Sequence, residues 1–445
     1  MADVRPFRGI RYNPEAIGDI GLVVAPPFDV ISPGARDSFY NRHPYNVIRL
    51  IMNRPKKSDS DPDQPYRRAA EFCDRWLAQR VLTREAVPSL YLYRQRYLME
   101  SEYKECTGLI ARVRLEDFAD GGILPHEHIM PKPLEDRKKL LEHTNMNFSL
   151  VHSLYTDPAE KLKGPILKEM EKFPIAQFQT EDGIAHDVWA VSEEPFVRKT
   201  MGFLKNRKLY IADGHHRYQT AFEHSRSVIE AGQDDGEEDP RRFLMMMIVE
   251  MENPGLSLLP VHRVVRSAGR FEVEDFTRGL ENWFTVVEVQ VPGGARSGQI
   301  FHLLRDIEEA GHAGKAFGVF LKEPEKFLLL SWKSNLDPQQ VIEGEYSPAY
   351  KNLDVTVLHR LVIENLLGIS PDRTSVESSL IFTRDPLEAA ERVDSGEGFM
   401  AIFVNQTRVE EVRGVADHGD KMPQKSTYFH PKPCSGVVMN RITEW

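Results

Sequence analysis

Residues 209–217 read Leu-Tyr-Ile-Ala-Asp-Gly-His-His-Arg. The apolar run predicts a strand that ends at Ala212, Gly214 permits a tight turn, and a helix is expected to open at the two histidines. Beyond it, Tyr218, Ala221, Phe222, Ser225 and Ile229 fall near one face of that helix, which Gly232 is placed to close. A strand that turns through glycine into a helix presents the helix's first N–H groups at the loop, which makes a cradle for phosphate. Arg217 offers that phosphate a permanently charged, bidentate fork, and Asp213 a carboxylate for Mg²⁺ or for an incoming hydroxyl. His215 and His216 stand about 100° apart around a helix, so they do not grip one ion together. The plainer reading of the same residues is a polar helix start, with Asp213 as its cap and the histidines in water.

Working outward, Gly21 to Ile31 is an apolar run broken by Pro26-Pro27, which predicts a short edge strand leading into a rigid loop that presents Asp29. Residues 65–80 place Ala69, Phe72, Cys73, Trp76 and Leu77 on one helical face. Ser89 to Met99 and Tyr103 to Leu115 read as a hairpin. A polar stretch, Leu124 to Asn147, separates it from the apolar run Phe148 to Tyr155, and Asp187 to Ser192 is a further short strand. The acidic, breaker-rich tract 233–240 is a solvated loop and a boundary; Phe243 to Met251 after it reads by periodicity as a buried strand or a short helix, the lack of a charge before Glu250 suggests a central strand, and its methionines read as core filler. The remaining half alternates helices at 275–284, 299–310, 354–367 and 386–393 with strands near 285–291, 316–321, 326–332 and 399–404. The pattern is α/β or α+β without an internal repeat, divided as 1–232, 241–405 and a C-terminal loop, 406–445, expected to fold back on the site.

The 445 residues, 41% hydrophobic and 28% charged, are ordinary globular proportions and exclude a disordered or collagen-like chain. A net charge of -10 argues against a protein that coats nucleic acid, so no nucleic-acid partner is expected. No run approaches the roughly 18 apolar residues of a membrane span, and Met1 to Tyr12 has no apolar centre, so neither a membrane partner nor a secretory signal is expected. Cys73, Cys106 and Cys434 are widely spaced, as reduced thiols of a cytoplasmic protein would be. No phosphate-binding GxxxxGK[ST] loop, GxSxG elbow or GxGxxG turn occurs.

Two further constellations carry chemistry. Glu127, in the triplet His126-Glu127-His128, is crowded by His126, His128, Lys132 and Arg137 in a region too polar to be core, and Asp29 is the second carboxylate able to take a proton. In the tail, Lys425, Ser426, Thr427, His430 and Lys432 lie between Pro423, Pro431 and Pro433, which stiffen the loop. His262-Arg263 and Arg8 are weaker candidates for contacts with anions, and His359 reads as structural. The two His-containing motifs also admit a metal-dependent hydrolase or phosphatase, although neither has the HExxH spacing.

Together IADGHHRYQTA, APPFDVIS at 25–32, HPYNVIRL at 43–50, HEHIMPKPLEDR at 126–137, LPVHRVV at 259–265 and MPQKSTYFHPKPCSG at 422–436 resemble the family catalogued as domain of unknown function 1015. The family name implies no activity. The DGHHR element more distantly resembles the ADP-dependent free-serine kinases, which share a fold with sulfiredoxin and the ParB nucleotide-binding domain. Sulfiredoxin requires a cysteine inside the motif, where this chain has Gly214, His215 and His216, and the extra helix-turn-helix of ParB is not apparent. The kinase resemblance implies a ParB/sulfiredoxin-like nucleotide-binding core with an additional α/β lobe. It implies phosphorylation of free L-serine, or a related hydroxyl metabolite, from ADP or ATP with Mg²⁺. In that scheme Asp213, Gly214, His215, His216 and Arg217 hold phosphates and metal, Glu127 or Asp29 is the base, and Lys425, Ser426 and Thr427 hold the substrate. A nucleotide sensor without turnover is the alternative that uses the same cradle.

Overall fold

The strand, turn and helix expected at 209–230 form as Leu209–Asp213, Gly214 and His215–Glu230. The computed structural model describes residues 2–99, 101–128, 131–269, 271–291 and 293–445. The chain divides into two compact units, Met1–Ser257 with Pro431–Trp445, and Leu258–His430. Residues 406–430 thus group with the second unit, and 431–445 with the first.

The first unit is built on a mixed sheet with nine strands among the described residues. Its order is Ile123–Leu124, Leu209–Asp213, Val151–Tyr155, Phe243–Glu250, Glu102–Arg114, Leu90–Met99, Ala185–Val191 and Ala176–Gln179, with Val4–Arg5 added on 102–114. Leu90–Met99 and Glu102–Arg114 are the expected hairpin. Phe243–Glu250 is the expected central strand, antiparallel to 102–114 on one side and parallel to 151–155 on the other, and every residue before Glu250 is buried. A strand covered on both faces has no use for alternation, which is why FLMMMIV is apolar throughout.

Three expectations need correction. Gly21–Ile31 holds no strand among its residues beyond one bridge, Ala25 to Ser435; the chain makes tight turns at Ile20–Leu22 and Phe28–Val30, because Pro26 and Pro27 bring no N–H to a ladder. The polar stretch 124–147 contains a helix, Pro131–Thr144, which packs on 215–230 through Leu140 and Leu141; so few apolar positions among charges hid its period. On the 215–230 helix, Val228 rather than Ile229 completes the face buried by Tyr218, Ala221 and Ser225, while Ile229 is exposed.

The second unit is an antiparallel sheet in the order Phe284–Glu288, Lys326–Trp332, Ala316–Leu321, Met400–Val404, His262–Val265 and Leu380–Thr383. Alternate residues of 316–321 feed two cores. Phe317, Val319 and Leu321 pack with Phe276 and Leu280 of Val273–Leu280 and with the 354–366 helix, whose later part, Leu358–Leu366, is a π-helix. Ala316 and Phe320 pack on the other face with Arg296–Gly311 and Pro386–Asp394. Helices on both faces bury both sets of a period-two strand. The expected helices at 275–284 and 299–310 are therefore Val273–Leu280 and Arg296–Gly311, and the strand near 285–291 is Phe284–Glu288.

Candidate functional site

Gly214 is the pivot of the first unit's site. Its φ of +94° lies in the left-handed region open to glycine, and it is the N-cap of the 215–230 helix. Asp213 is therefore not the cap. The first N–H bonded within the helix is that of Tyr218, which donates to the Gly214 carbonyl at 3.0 Å, so the preceding turn directs its N–H groups at the loop. A register shift between Ile211 and Asp213 against the 151–155 strand re-aims Asp213 just before the turn.

The arrangement brings Asp213, Arg217 and Asp29 together through a residue the sequence had placed only in the tail. Arg217 pairs with one oxygen of Asp213 and donates its other terminal nitrogen to the Leu150 carbonyl. Lys432 pairs with the second oxygen of Asp213 and donates to Asp29 Oδ2 at 2.9 Å. Burial pushes the Asp213 carboxyl up, but Lys432 and Arg217 outweigh it and hold the group well below the usual carboxylate range. Opposite Asp213 lies His152, fully buried, whose imidazole burial pushes down to about 4. Arg217 is thus engaged by protein partners rather than standing open as a fork. The one sequence signal for Lys432 is its setting between Pro431 and Pro433, which fixes the backbone on either side.

On another side of the helix start, Glu127 meets the first histidine of the motif. Glu127 Oε2 lies 3.3 Å from His215 Nδ1, and its Oε1 lies 4.0 Å from His126 Nε2. The His126 backbone N–H donates to His215 Nε2 at 3.2 Å, which assigns the ring hydrogen of neutral His215 to Nδ1, facing the carboxylate. His126 Nδ1 in turn lies 2.8 Å from the Ile211 carbonyl, its natural acceptor, and the two rings meet edge to face at 4.8 Å. Both histidines are buried, while the Glu127 side chain is 34% exposed. His216 is half-buried on the next position of the helix. Of the charges expected around Glu127, Arg137 instead pairs with Asp136 and lies over the Phe28 ring, and the Lys132 side chain falls outside the described residues.

Lys425, Ser426 and Thr427 belong to the second unit. Lys425 adopts a φ of +54°, its carbonyl accepts from Arg263 at 3.4 Å, and the Ser426 hydroxyl donates to the Pro423 carbonyl at 2.6 Å. Arg263 is fully buried and also reaches the Val261 carbonyl and His359 Nε2, so it serves as an internal clamp rather than a contact for anions.

For a divalent metal the donor set does not fit as arranged. Mg²⁺ seeks carboxylate oxygens in an octahedral shell, and both oxygens of Asp213 already face cationic side chains. Among the described residues no three His, Cys, Asp or Glu side chains are grouped to hold a metal ion. No helix among them is long and apolar enough to cross a membrane.

The first unit is a mixed α/β fold with its candidate site at the start of a helix. The chain belongs to the family described as "Protein of unknown function (DUF1015)", whose profile matches residues 4–356. No curated protein matches the sequence. Among solved structures, a conserved hypothetical protein from Pyrococcus furiosus is similar at 13% identity and a TM-score of 0.33, covering 74% of this chain and 93% of its own. A free serine kinase in complex with ADP is similar at 15% identity and a TM-score of 0.34, covering 72% and 87%. SbnI from Staphylococcus aureus, truncated at its C-terminus, is similar at 10% identity and a TM-score of 0.31, covering 73% and 85%.

Proposed function

We propose that the first unit binds a nucleoside di- or triphosphate at the Gly214 turn and transfers its terminal phosphoryl group to the hydroxyl of a small metabolite, free L-serine or a related compound. The observation that carries this reading is the Glu127 carboxylate, 3.3 Å from the Nδ1 of buried His215, beside the start of a helix that opens at the Gly214 turn. Phosphoryl transfer asks the protein for an oriented hydroxyl, an acceptor for its proton and compensation of phosphate charge. Glu127 accepts the proton as the hydroxyl oxygen bonds to the terminal phosphorus and the bridging P–O bond breaks, releasing AMP from ADP or ADP from ATP. His215 orients Glu127 and is the positioning residue. The helix start and the nearby ammonium of Lys432 offset the negative charge of the phosphates. No step runs through Mg²⁺, because Asp213 is occupied by Lys432 and Arg217.

The reading as a sensor without turnover has its own support. The cations nearest the turn, Lys432 and Arg217, are paired with Asp213 and Asp29 rather than aimed at a transferring phosphoryl group, an arrangement that suits binding without turnover. The test is incubation of the full chain with L-serine, Mg²⁺ and either ADP or ATP, followed by chromatography of phosphoserine and of the released nucleotide. Phosphoserine with either donor is the expected result. Nucleotide binding without product favours the sensor, and absence of both ends the nucleotide reading.

A further inference from the structure

Beside the Gly214 turn, on the Arg217 side of the helix, a cleft opens between the 131–144 and 215–230 helices and the segment 146–149. Its floor is apolar, with Leu141 and Phe148 buried there, and Phe28 and Arg137 stand at it with the guanidinium 4.2 Å above the ring centroid. Thr220 lines the cleft at 2% exposure, and its hydroxyl has no hydrogen-bond partner among the described residues. A buried hydroxyl left unpaired costs free energy unless a guest or water completes it, so this one points to a ligand with a polar edge. At the same wall the Arg217 Nε has no hydrogen-bond partner among the described residues, while its terminal nitrogens are held by Asp213 and the Leu150 carbonyl. A largely apolar floor, an aromatic face beneath a planar cation, and polar groups at the wall that include the buried Thr220 hydroxyl together with Asn147 and Ser149 describe a receptor for a flat heteroaromatic ring with a polar edge.

We propose that this cleft receives the heteroaromatic base of the nucleotide, stacked on Phe28 in place of the Arg137 guanidinium and hydrogen-bonded at its edge to Thr220. The inference rests on the nucleotide-binding reading above and adds where the base goes. Arg217 lies on the wall of the cleft and pairs with Asp213 at the turn, so the two subsites are contiguous and one nucleotide spans them.

The experiment is calorimetric titration of the full chain and of the variants Phe28→Ala and Thr220→Val with ADP and, separately, with inorganic pyrophosphate, which has no base. Thr220→Val is nearly isosteric, and the melting temperature of each variant establishes that it folds. Loss of stacking should weaken ADP binding by about 5- to 100-fold in Phe28→Ala. Loss of the hydroxyl should weaken it by about 3- to 10-fold in Thr220→Val. Pyrophosphate affinity should stay at the wild-type value in both. Folded variants that bind ADP as tightly as the wild type overturn the base site and leave the phosphate reading standing. A wild-type chain that binds neither ADP nor pyrophosphate overturns the nucleotide reading itself.

Discussion

The ammonium of Lys432 meets the carboxylate of Asp213 across 219 positions of sequence, with Arg217 on the other carboxylate oxygen. Asp213→Asn leaves two largely buried cations facing a neutral amide, and removing one partner of such a pair costs about 3–5 kcal/mol. Urea denaturation at pH 7 measures the loss. Because Lys432 and Arg217 depress the folded-state pKa of Asp213, its stabilisation is complete above the ordinary carboxylate value near 4 and declines as pH falls toward the folded value. The gap between wild type and variant should therefore narrow below about pH 4; a gap unchanged down to pH 3 would contradict the assignment.

Glu127→Gln should reduce phosphoserine formation by about 10²- to 10⁴-fold, the usual range for a positioned base, while ADP affinity and the melting temperature stay near wild type. Asp29→Asn removes one partner of Lys432 and should weaken turnover less. If the order of the two variants is reversed in initial-rate measurements, Asp29 is the base and Glu127 is not.

Gly214→Ala places a Cβ 3.0 Å from the Arg217 guanidinium at a φ of +94°. The left-handed backbone alone costs about 1–2 kcal/mol. Displacing Arg217 from Asp213 adds to it, so the expected readout is a lower melting temperature together with weaker pyrophosphate binding. Retained binding at reduced stability would show that the turn's geometry is structural only.

The order of elements around 209–230 was legible in the sequence because a strand, a glycine and a helix are each local patterns, and Phe243–Glu250 was legible because seven apolar residues in a row fit a doubly covered strand. The helix at 131–144 was not, since Leu140 and Leu141 lie among charges that mask the period. Within the site, the residue types at 213–217 were readable but their partners were not. The i,i+4 spacing of Asp213 and Arg217 is compatible with the pair that forms, but Arg217 looks the same in sequence whether it faces a phosphate or Asp213; the Lys432 contact with Asp213, in contrast, is brought in by long-range packing. The contact of His215 with Glu127 is likewise set by the return of 126–127 to the helix start, which no local spacing encodes.

His186 offers a test in the fold around the site. It lies between the Phe178 and Tyr93 rings, with Nδ1 2.8 Å from the Tyr93 hydroxyl and Nε2 2.9 Å from Thr180 Oγ1, and burial pushes its pKa down to about 4. The folded protein keeps it neutral where the unfolded chain takes up a proton, below about pH 6.5. Its contribution to stability is full above that pH and is lost as pH falls from 6.5 to 4, by roughly 3 kcal/mol. In His186→Phe, denaturation midpoints measured at pH 7.5, 6 and 5 should show a shallower decline than wild type; parallel declines would assign the pH dependence to other groups.

The first unit is interrupted in sequence: the chain leaves it after Ser257 and returns at Pro431. What returns is structural as well as chemical. Asn440 accepts from buried Arg112, Asn440–Arg441 pairs with Met146–Asn147, and Trp445 packs edge-on against Phe243. A ribosome adding about 5–20 residues per second needs on the order of ten to thirty seconds to traverse the intervening segment. Throughout that interval Asp213 and Arg112 wait without Lys432 and Asn440, so the nascent chain carries an unfinished site until the last residues of the first unit emerge.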